Sequence, residues 1–400
     1  MDDTVVQPTR PGRRAALADS ARRIAPLAWP VFIGQVSMLV FSTIDTLLVA
    51  RASATDLAAL AVGSAAYITV FIGFMGVLLA LSPIVGQLYG AQRPEAAGRQ
   101  LHQALWIAMA LAVLGCTLLA FPTPFLALSR ASPEVAEKVR GYLLALAFSL
   151  PASLLFTLYR GFNLALSRPK AVMLIQVSAL LLKVPLSAAL VFGVPALALP
   201  SLGVTGCGVA TAVAMWAQVL VAWFVMRRDP FYLPFKLWGR GLDRPDRAAL
   251  RQHLVLGLPL GASILVEVTG FAFMAIFIAR LGTTPVAGHQ IAVNLVSLIF
   301  MLPLALGNAT STLVAQRIGA GDEADAGRLS AHGLYIGCAV AVMMGSAMFL
   351  LRKPLLGLYT DNPVVMAAAL PLLAWVAVFH VGDAEHRHPG QQRQRGGHHH

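Results

Sequence analysis

The stretch Ile24–Ala50, IAPLAWPVFIGQVSMLVFSTIDTLLVA, has a single charged side chain, that of Asp45. A helix needs about 20 mostly apolar residues to cross the hydrocarbon layer of a bilayer. The stretch is therefore predicted to be a transmembrane helix. The residues before it, 1–23, are polar and basic and are predicted to form an amino-terminal arm outside the membrane.

The composition of the whole chain leads to the same prediction. Of its 400 residues, 58% are hydrophobic and 12% are charged, whereas soluble domains carry about 25% charged residues. The mean hydropathy is +0.72. One soluble core cannot hide so much apolar side chain, because a soluble domain also needs a polar surface. An all-α integral membrane protein is expected.

About ten segments of the chain are long and apolar enough to span a bilayer as helices. Spanning β-strands need only about 10 residues of alternating polarity and do not fit these lengths. The predicted spans are Ile24–Ala50, Leu57–Pro83, Leu101–Phe121, Tyr142–Leu164, Ala171–Phe192, Val209–Met226, Leu254–Ile278, Val286–Leu313, Leu334–Leu351 and Val364–Val381.

The distribution of basic residues predicts an orientation. Lys and Arg are concentrated in the amino-terminal arm and in the long loop after the sixth span, residues 228–250. Positive residues stay on the cytoplasmic side, so the arm and this loop are expected in the cytoplasm of a multi-pass membrane protein. Because the cations lie in short clusters between apolar runs, the net charge of +12 does not indicate nucleic-acid binding.

An internal repeat relates the two halves of the chain in a register that places Pro30 on Pro259, which we name the repeat register. Six spans are an even number, so both copies enter the membrane from the same side and are expected to be related by a pseudo-two-fold axis along the membrane normal. The predicted lobes are residues 24–227 and 251–384, with residues 228–250 as the linker. The polar matches are Thr55 with Thr284, Gln87 with Gln316, Gly90-Ala91 with Gly319-Ala320, and Ala97-Gly98-Arg99 with Ala326-Gly327-Arg328.

The repeat predicts twelve spans and the sequence supplies ten, so the second lobe is expected to lack its last two helices. The apolar pattern stops at Ala384, and residues 385–400 are polar residues, Gly and Pro. We interpret this tail as a truncated or frame-shifted end. A His-rich metal-binding tail is the alternative.

Ionisable side chains inside spans are costly, by about 2.5–3.5 kcal/mol each, and are candidate functional groups. Asp45 shares a helix face with Met38 and Phe41 in the first span, and Glu267 has Phe271 and Met274 below it in the seventh. A carboxylate beside Met and Phe suits a lipophilic cation, and a desolvated carboxylate can exchange a proton near neutral pH. An interhelical hydrogen bond without a role in transport is the other interpretation.

Other polar groups in the spans leave alternatives open. Lys183 in the fifth span fits a fixed counter-charge for a carboxylate or a side chain that extends to the interface. Gln290 and Asn294 are spaced i, i+4 beside His289 and fit polar contacts between helices better than ligand binding. Asp383 is a further acid, in the extension of the tenth span.

Motifs of enzymes and ATP-driven pumps are absent from the sequence. It has no GxxxxGK[ST], HExxH or GxSxG motif. Its three cysteines have no CxxC spacing, which predicts neither a metal site nor a disulfide. We therefore expect a protein that is not an enzyme and that uses no cofactor.

Several of these motifs together resemble the MATE (multidrug and toxic compound extrusion) family, in particular its NorM-like branch. The likeness runs from about Ala25 to Ala384. The residues that carry it are Ile44-Asp45-Thr46, Gly203–Gly208, Glu267-Val268-Thr269, His289–Asn294, and the repeated pair Val85–Ala91 and Val314–Ala320.

The resemblance implies a twelve-helix antiporter whose two six-helix lobes surround a central cavity. It implies export of organic cations, often aromatic, in exchange for H⁺ or Na⁺, by a protein in the lipid bilayer that we expect to be a monomer. By position, Glu267 and Asp383 match the coupling acids of the second lobe and Asp45 the acid of the first. Pro30 matches the proline at which the first helix can bend.

The sequence departs from the family where Lys183 and Ser187 replace residues that are often Asn. A fixed ammonium there would compete with Na⁺, which favours H⁺ coupling. Two alternatives to an antiporter are a lipid-linked oligosaccharide flippase of related fold and an inactive truncated remnant. The flippase would need a strongly cationic cavity, whereas the charges inside these spans are mostly acidic.

Overall fold

A computed structural model describes residues 13–357, apart from 124, 127–131, 195–199, 240 and 280–282, together with residue 370. Across these residues the regular secondary structure is helical, which confirms the all-α prediction. The helices are α1 (Arg13–Ala52), α2 (Ala54–Leu78), α3 (Leu81–Gly90), α4 (Pro94–Ala120), α5 (Pro133–Ala165), α6 (Pro169–Phe192), α7 (Gly203–Arg228), a 3₁₀ helix (Pro230–Phe235), α8 (Arg247–Ala279), α9 (Thr283–Gly319) and α10 (Glu323–Gly357).

Nine helical segments in the described part of the chain are long and apolar enough to cross a membrane. They coincide with the first nine predicted spans, while the tenth, 364–381, lies outside the described residues apart from 370. Helix α1 begins at Arg13, so residues 13–23 of the predicted arm are helical. The predicted second span is interrupted after Leu78, where α3 follows α2.

The helices begin where the sequence satisfies their first N–H groups. Ser53 caps α2 by accepting hydrogen bonds from the N–H groups of Thr55 and Asp56. Pro94, Pro133 and Pro169 stand at the first positions of α4, α5 and α6, where a missing N–H costs nothing and the fixed φ suits a helix. The predicted spans began later than these helices because they followed the apolar residues alone.

The structure repeats in the predicted register. Ala54 and Thr283 begin α2 and α9, Gly90 and Gly319 end α3 and α9, and Pro94 and Glu323 begin α4 and α10. The second lobe differs in that α9 runs without interruption through the segment equivalent to both α2 and α3. The predicted two-lobe repeat is therefore confirmed for the described helices.

Equivalent helix pairs join the two lobes. Helix α2 packs on α8, where a Cβ on Gly257 would lie 2.2 Å from the carbonyl oxygen of Val77. The repeat equivalents of Val77 and Gly257 are Leu306 and Ala28, which belong to one buried cluster between α9 and α1. The two interfaces are thus related by the same pseudo-two-fold rotation.

The pseudo-two-fold axis passes between the ends of α3 and α9. A Cβ on Gly90 would lie 1.9 Å from the carbonyl oxygen of Gln316, and a Cβ on Gly319 would lie 1.9 Å from that of Gln87. Both pairs are related by the repeat register, so each lobe makes the same contact with the other. Only glycine allows the two backbones to approach this closely.

Polar contacts between the lobes lie at the end of the bundle where α1, α4, α8 and α10 begin, which we name the linker end. Arg23 donates two hydrogen bonds to Asp325, at 3.2 and 2.8 Å. Ser20 and His332 are hydrogen-bonded at 2.7 Å. Gln316 of the second lobe also donates a hydrogen bond to the carbonyl of Ala165 in the first lobe, at 2.6 Å, so these hydrogen bonds join the lobes at this end.

The predicted linker, 228–250, is more ordered than a loop. Its 3₁₀ helix packs into the first lobe, and Tyr232 and Phe235 are 2% and 3% exposed. The N–H of Phe231 and the Arg168 guanidinium hold the pKa of Asp229 below its usual range. Helix α8 begins at Arg247, ahead of position 251, where the second lobe was predicted to start.

Candidate functional site

A buried ion pair between Asp45 and Lys183 lies inside the first lobe. The Lys183 ammonium Nζ donates a hydrogen bond to Asp45 Oδ2 at 2.5 Å. Lys183 is 1% exposed and Asp45 is 8% exposed. Lys183 therefore acts as the fixed counter-charge, and the alternative that it extends to the membrane interface is wrong.

Helix packing explains how two residues so distant in sequence come together. Asp45 lies in the last third of α1 and Lys183 past the middle of α6, two helices that pack along much of their length. The pair is far from the linker end, where α1 begins. A buried charge persists only when it is paired. The packing of α1 on α6 brings each of these two charges the partner that it needs.

Aromatic and sulfur-containing side chains surround the pair, as the sequence predicts. The Lys183 Nζ lies 3.3 Å from the centroid of the Phe41 ring. Phe41 and Met38 belong to an apolar cluster with residues of α5 and α7. Phe41, one of the residues predicted to contact an organic cation, thus contacts an ammonium of the protein itself, and Met38 packs beside it.

Two oxygens near the pair have unused hydrogen-bonding capacity. Asp45 Oδ1 and Ser187 Oγ are buried and have no hydrogen-bond partner among the described residues. Ser187 lies one helical turn after Lys183 on α6. Lys183 pairs with Oδ2, so Oδ1 is the carboxylate oxygen with no hydrogen-bond partner among the described residues, and the buried thiol of Cys207 lies beside the carboxylate.

The acid of the second lobe lies in a different environment. Glu267, on the part of α8 beyond its contact with α2, is exposed, and Met274, two turns further, is 42% exposed. Neither residue belongs to the apolar cluster that contains Phe41 and Met38. The predicted partners Phe271, Gln290 and Asn294 have side chains outside the described structure, and Asp383 lies outside the described residues.

Pro30, the predicted hinge, is buried in the first half of α1. It lies between the linker end and Asp45, so a bend at this position would move the segment that carries Asp45. Its repeat equivalent, Pro259, lies inside α8. A role in bending stays a prediction.

Sequence reasoning missed a second carboxylate in the first lobe. Asp56 is buried and accepts hydrogen bonds from Lys138 Nζ at 2.9 Å and from the N–H of Val204 at 3.1 Å. The neighbouring Gly203 has φ +53° and leaves room for the carboxylate, because a Cβ there would lie 2.6 Å from Oδ1. The sequence feature that could have indicated this carboxylate is the position of Asp56 in the first turn of α2, where an acid stabilises the helix start.

In the described part of the chain, no three His, Cys, Asp or Glu side chains lie close enough together to hold a metal ion. The charged partner of Asp45 is the ammonium of Lys183, which is not a metal ligand while it carries its proton. The site is therefore a buried ion pair, with the buried thiol of Cys207 beside its carboxylate.

A family model described as MatE matches residues 30–189 and 259–385. The chain belongs to the MATE family. The two matched segments begin at Pro30 and Pro259, the pair of residues that defines the repeat register. The family assignment by resemblance is thus confirmed, and the family model covers both lobes.

Two curated MATE relatives are similar along most of their length. A "Probable multidrug resistance protein NorM" of Aromatoleum aromaticum is 39% identical over 91% of this chain and 78% of its own. A "Multidrug resistance protein MdtK" of Pectobacterium atrosepticum is 37% identical over 91% of this chain and 79% of its own. These similarities support the NorM-like branch.

A solved structure has the same fold. The "Outward-facing conformation of a multidrug resistance MATE family transporter of the MOP superfamily" superposes with a TM-score of 0.82 over 94% of this chain and 83% of that chain, at 19% identity. The two-lobed helical architecture is therefore that of a MATE protein, and together with nine apolar helices in the described part of the chain it makes this a multi-pass membrane protein.

Proposed function

We propose that this chain is a multidrug efflux antiporter that exports organic cations, often aromatic, in exchange for protons. Membership of the MATE family and the names of the NorM and MdtK relatives support multidrug efflux. The observation that carries the choice of proton is the buried contact between Lys183 Nζ and Asp45 Oδ2.

A protein-bound ammonium at Asp45 disfavours Na⁺ coupling through the first lobe. A sodium ion would have to displace Lys183 Nζ and would then lie beside its positive charge. A proton can reach Asp45 Oδ1 without displacing any group, since this oxygen has no hydrogen-bond partner among the described residues. Protonation neutralises Asp45, removes the attraction that holds Lys183 and so loosens α1 from α6.

The orientation of the chain in the membrane and the position of Glu267 complete the proposal. Under the orientation that the basic residues favour, the linker end is cytoplasmic. The hydrogen bonds that join the lobes lie at this end, and the central cavity that the family resemblance implies would open towards the outside. Glu267 on α8 is exposed, and with Asp383 it would serve the organic cation and the coupling ion in the second lobe. The protein would work as a monomer in the inner membrane.

The proposal can be tested with the purified chain in proteoliposomes and ethidium as the organic cation. We expect a pH gradient to drive ethidium transport in the absence of Na⁺, and a Na⁺ gradient to have no effect at constant pH. In Lys183→Asn the ammonium is replaced by a neutral oxygen ligand. This variant should lose most of the response to pH and gain a response to Na⁺.

The matched control is Lys138→Asn, which removes the lysine from the Asp56 pair. It should retain the proton response of the parent chain. Transport by the parent that requires Na⁺ would contradict proton coupling. No ethidium transport by the parent under any gradient would support the inactive-remnant interpretation.

A further inference from the structure

An apolar groove on the outer face of the first lobe lies outside the ion-pair site. Its floor is α5, with the buried side chains of Phe156 and Leu158, and its walls are the linker-end halves of α4 and α7. One end is closed by residues of the linker, Leu237, Trp238, Gly239, Gly241 and Leu242. The groove has a volume of about 460 Å³, within the range of about 300–1,000 Å³ that is typical of small-molecule sites.

The linker segment is fixed across the groove by hydrogen bonds. Nδ1 of His102, on α4, pairs with Asp243 Oδ2 at 2.9 Å, and its Nε2 faces the carbonyl of Leu237 at 3.3 Å. Trp106 Nε1 donates to the carbonyl of Asp243 at 2.9 Å. The acid nearest the groove is thus engaged with His102, and the groove offers mainly apolar surface to an occupant.

The groove is accessible from the lipid side of the lobe. Trp223 and Trp238 line it, with their rings edge to face at 6.1 Å, and they are 42% and 47% exposed. Further along the walls, Val113 of α4 is 70% exposed and Leu220 of α7 is 62% exposed. Surface as apolar as this faces acyl chains in a multi-pass protein, so a lipid chain can enter the groove sideways.

Basic side chains stand at the linker-end mouth of the groove. The guanidinium of Arg227 lies 5.2 Å from the Trp223 ring, and that of Arg228 lies 4.0 Å from the Phe224 ring. Both arginines are exposed, and within the described residues no carboxylate lies in ion-pair distance of either. Basic clusters at the ends of transmembrane helices bind anionic lipid head groups, and Trp residues mark this level of the bilayer.

We propose that the groove holds one acyl chain of an anionic phospholipid from the leaflet at the linker end, with the lipid phosphate against Arg227. The apolar floor and walls receive the chain, and the arginine beside Trp223 selects a negatively charged head group. The leaflet is the cytoplasmic one under the proposed orientation, but the site itself depends only on the membrane location. The lipid would tie the linker to α4 and α7 and so stabilise the first lobe.

Lipid retention on the full-length chain tests the proposal. The purified protein is incubated with equimolar phosphatidylglycerol and phosphatidylcholine of identical acyl chains, and bound lipid is counted by native mass spectrometry. We expect preferential retention of one phosphatidylglycerol. Arg227→Gln should weaken this retention about fivefold, which corresponds to about 1 kcal/mol for one basic residue at an anionic head group, without changing phosphatidylcholine. Arg22→Gln, at an exposed arginine of α1, is the charge control.

A second pair of variants tests the groove itself. Ala222 is 3% exposed and lines the groove, so Ala222→Phe fills it, whereas Val221→Phe places the same ring at the neighbouring, 48% exposed position of α7. We expect the first variant to abolish retention of phosphatidylglycerol and the second to leave it unchanged. If Ala222→Phe fails to fold, as judged by gel filtration, Arg227→Gln still decides.

Three results would overturn the assignment. The first is equal retention of both phospholipids by the parent chain. The second is displacement of phosphatidylglycerol by inorganic phosphate alone, which would indicate an anion site without a place for the acyl chain. The third is displacement by tetraphenylphosphonium, which would make the groove a site for lipophilic cations.

Discussion

Removal of the Lys183 charge should destabilise the first lobe more than removal of any exposed lysine. Lys183→Met keeps most of the apolar volume but leaves the carboxylate of Asp45 buried without its partner. Breaking a buried pair in this way costs about 3–5 kcal/mol, and the lost contact between Nζ and the Phe41 ring adds about 0.5–2 kcal/mol. The Asp45→Asn/Lys183→Met double variant should recover most of this loss, since no buried charge remains.

The assay is the free energy of unfolding in mixed micelles of lipid and SDS, measured for both single variants and the double variant. We expect a coupling energy of at least about 3 kcal/mol between the two positions. Lys236→Met is the matched control, because Lys236 and Glu95 also form a pair at 2.5 Å but are 51% and 50% exposed. An exposed pair contributes about 0–1 kcal/mol. Equal losses for Lys183→Met and Lys236→Met would refute the reasoning.

Three further changes probe the contacts at the linker end. Gly319→Ala, whose Cβ would lie 1.9 Å from the carbonyl oxygen of Gln87, should lower the free energy of unfolding by about 1–3 kcal/mol; Gly337→Ala has open space and should not. Asp325→Asn should weaken the contacts with Arg23 and Arg317, and the distance between spin labels on α1 and α10 at this end should increase. Asp19→Asn, at an exposed position, is the control and should leave this distance unchanged. His102→Ala should release the linker from α4 and speed its cleavage by trypsin at Arg244, with the folded core unchanged.

The register of the repeat could be predicted from the sequence because polar residues match in it, whereas the predicted spans of the second lobe began later than the helices. Thr55 and Thr284, and Gln87 and Gln316, match in the same register, and the helix starts at Ala54 and Thr283 obey it. Apolar similarity alone would have matched any two spans. The break between α2 and α3 could not be predicted, since the chain from Leu78 to Leu81 is apolar and the equivalent segment of α9 is continuous.

The ion pair was half predicted. Because burying Asp45 is costly, the sequence predicted either a partner or a function for it. Lys183 was one of the charged side chains in the spans that could be this partner. Sequence could not choose between a counter-charge and an interfacial position for Lys183, because this depends on the rotation of α6 relative to α1. The rotation is set by packing along both helices, not by residues near Lys183.

The linker was predicted as a loop because its charges dominate its composition. The short run PFYLPF, residues 230–235, contributes the buried rings of Tyr232 and Phe235, and its aromatic residues were the sequence feature that indicated packing. The hydroxyl of Tyr232 donates a hydrogen bond to Asn163 Oδ1 at 2.5 Å, and a Cβ on Gly98 would lie 2.0 Å from the carbonyl oxygen of Phe235. These partners are distant in sequence, so no local pattern could have indicated them.

The repeat register also shows that the two lobes are not equivalent in chemistry. It places Asp45 on Met274 and Glu267 on Met38, so each lobe has an acid where the other has a methionine. The acids are about two helical turns apart on equivalent helices, or about 10 Å along the axis. Asp45 is buried against a lysine of its own lobe, while Glu267 is exposed at the level nearer the linker end. Because α1 and α8 have the same position in their lobes, this exchange of acid and methionine gives the first lobe a buried acid and the second lobe an exposed one. This difference fits the proposal that Asp45 takes up a proton while Glu267 serves the larger organic cation.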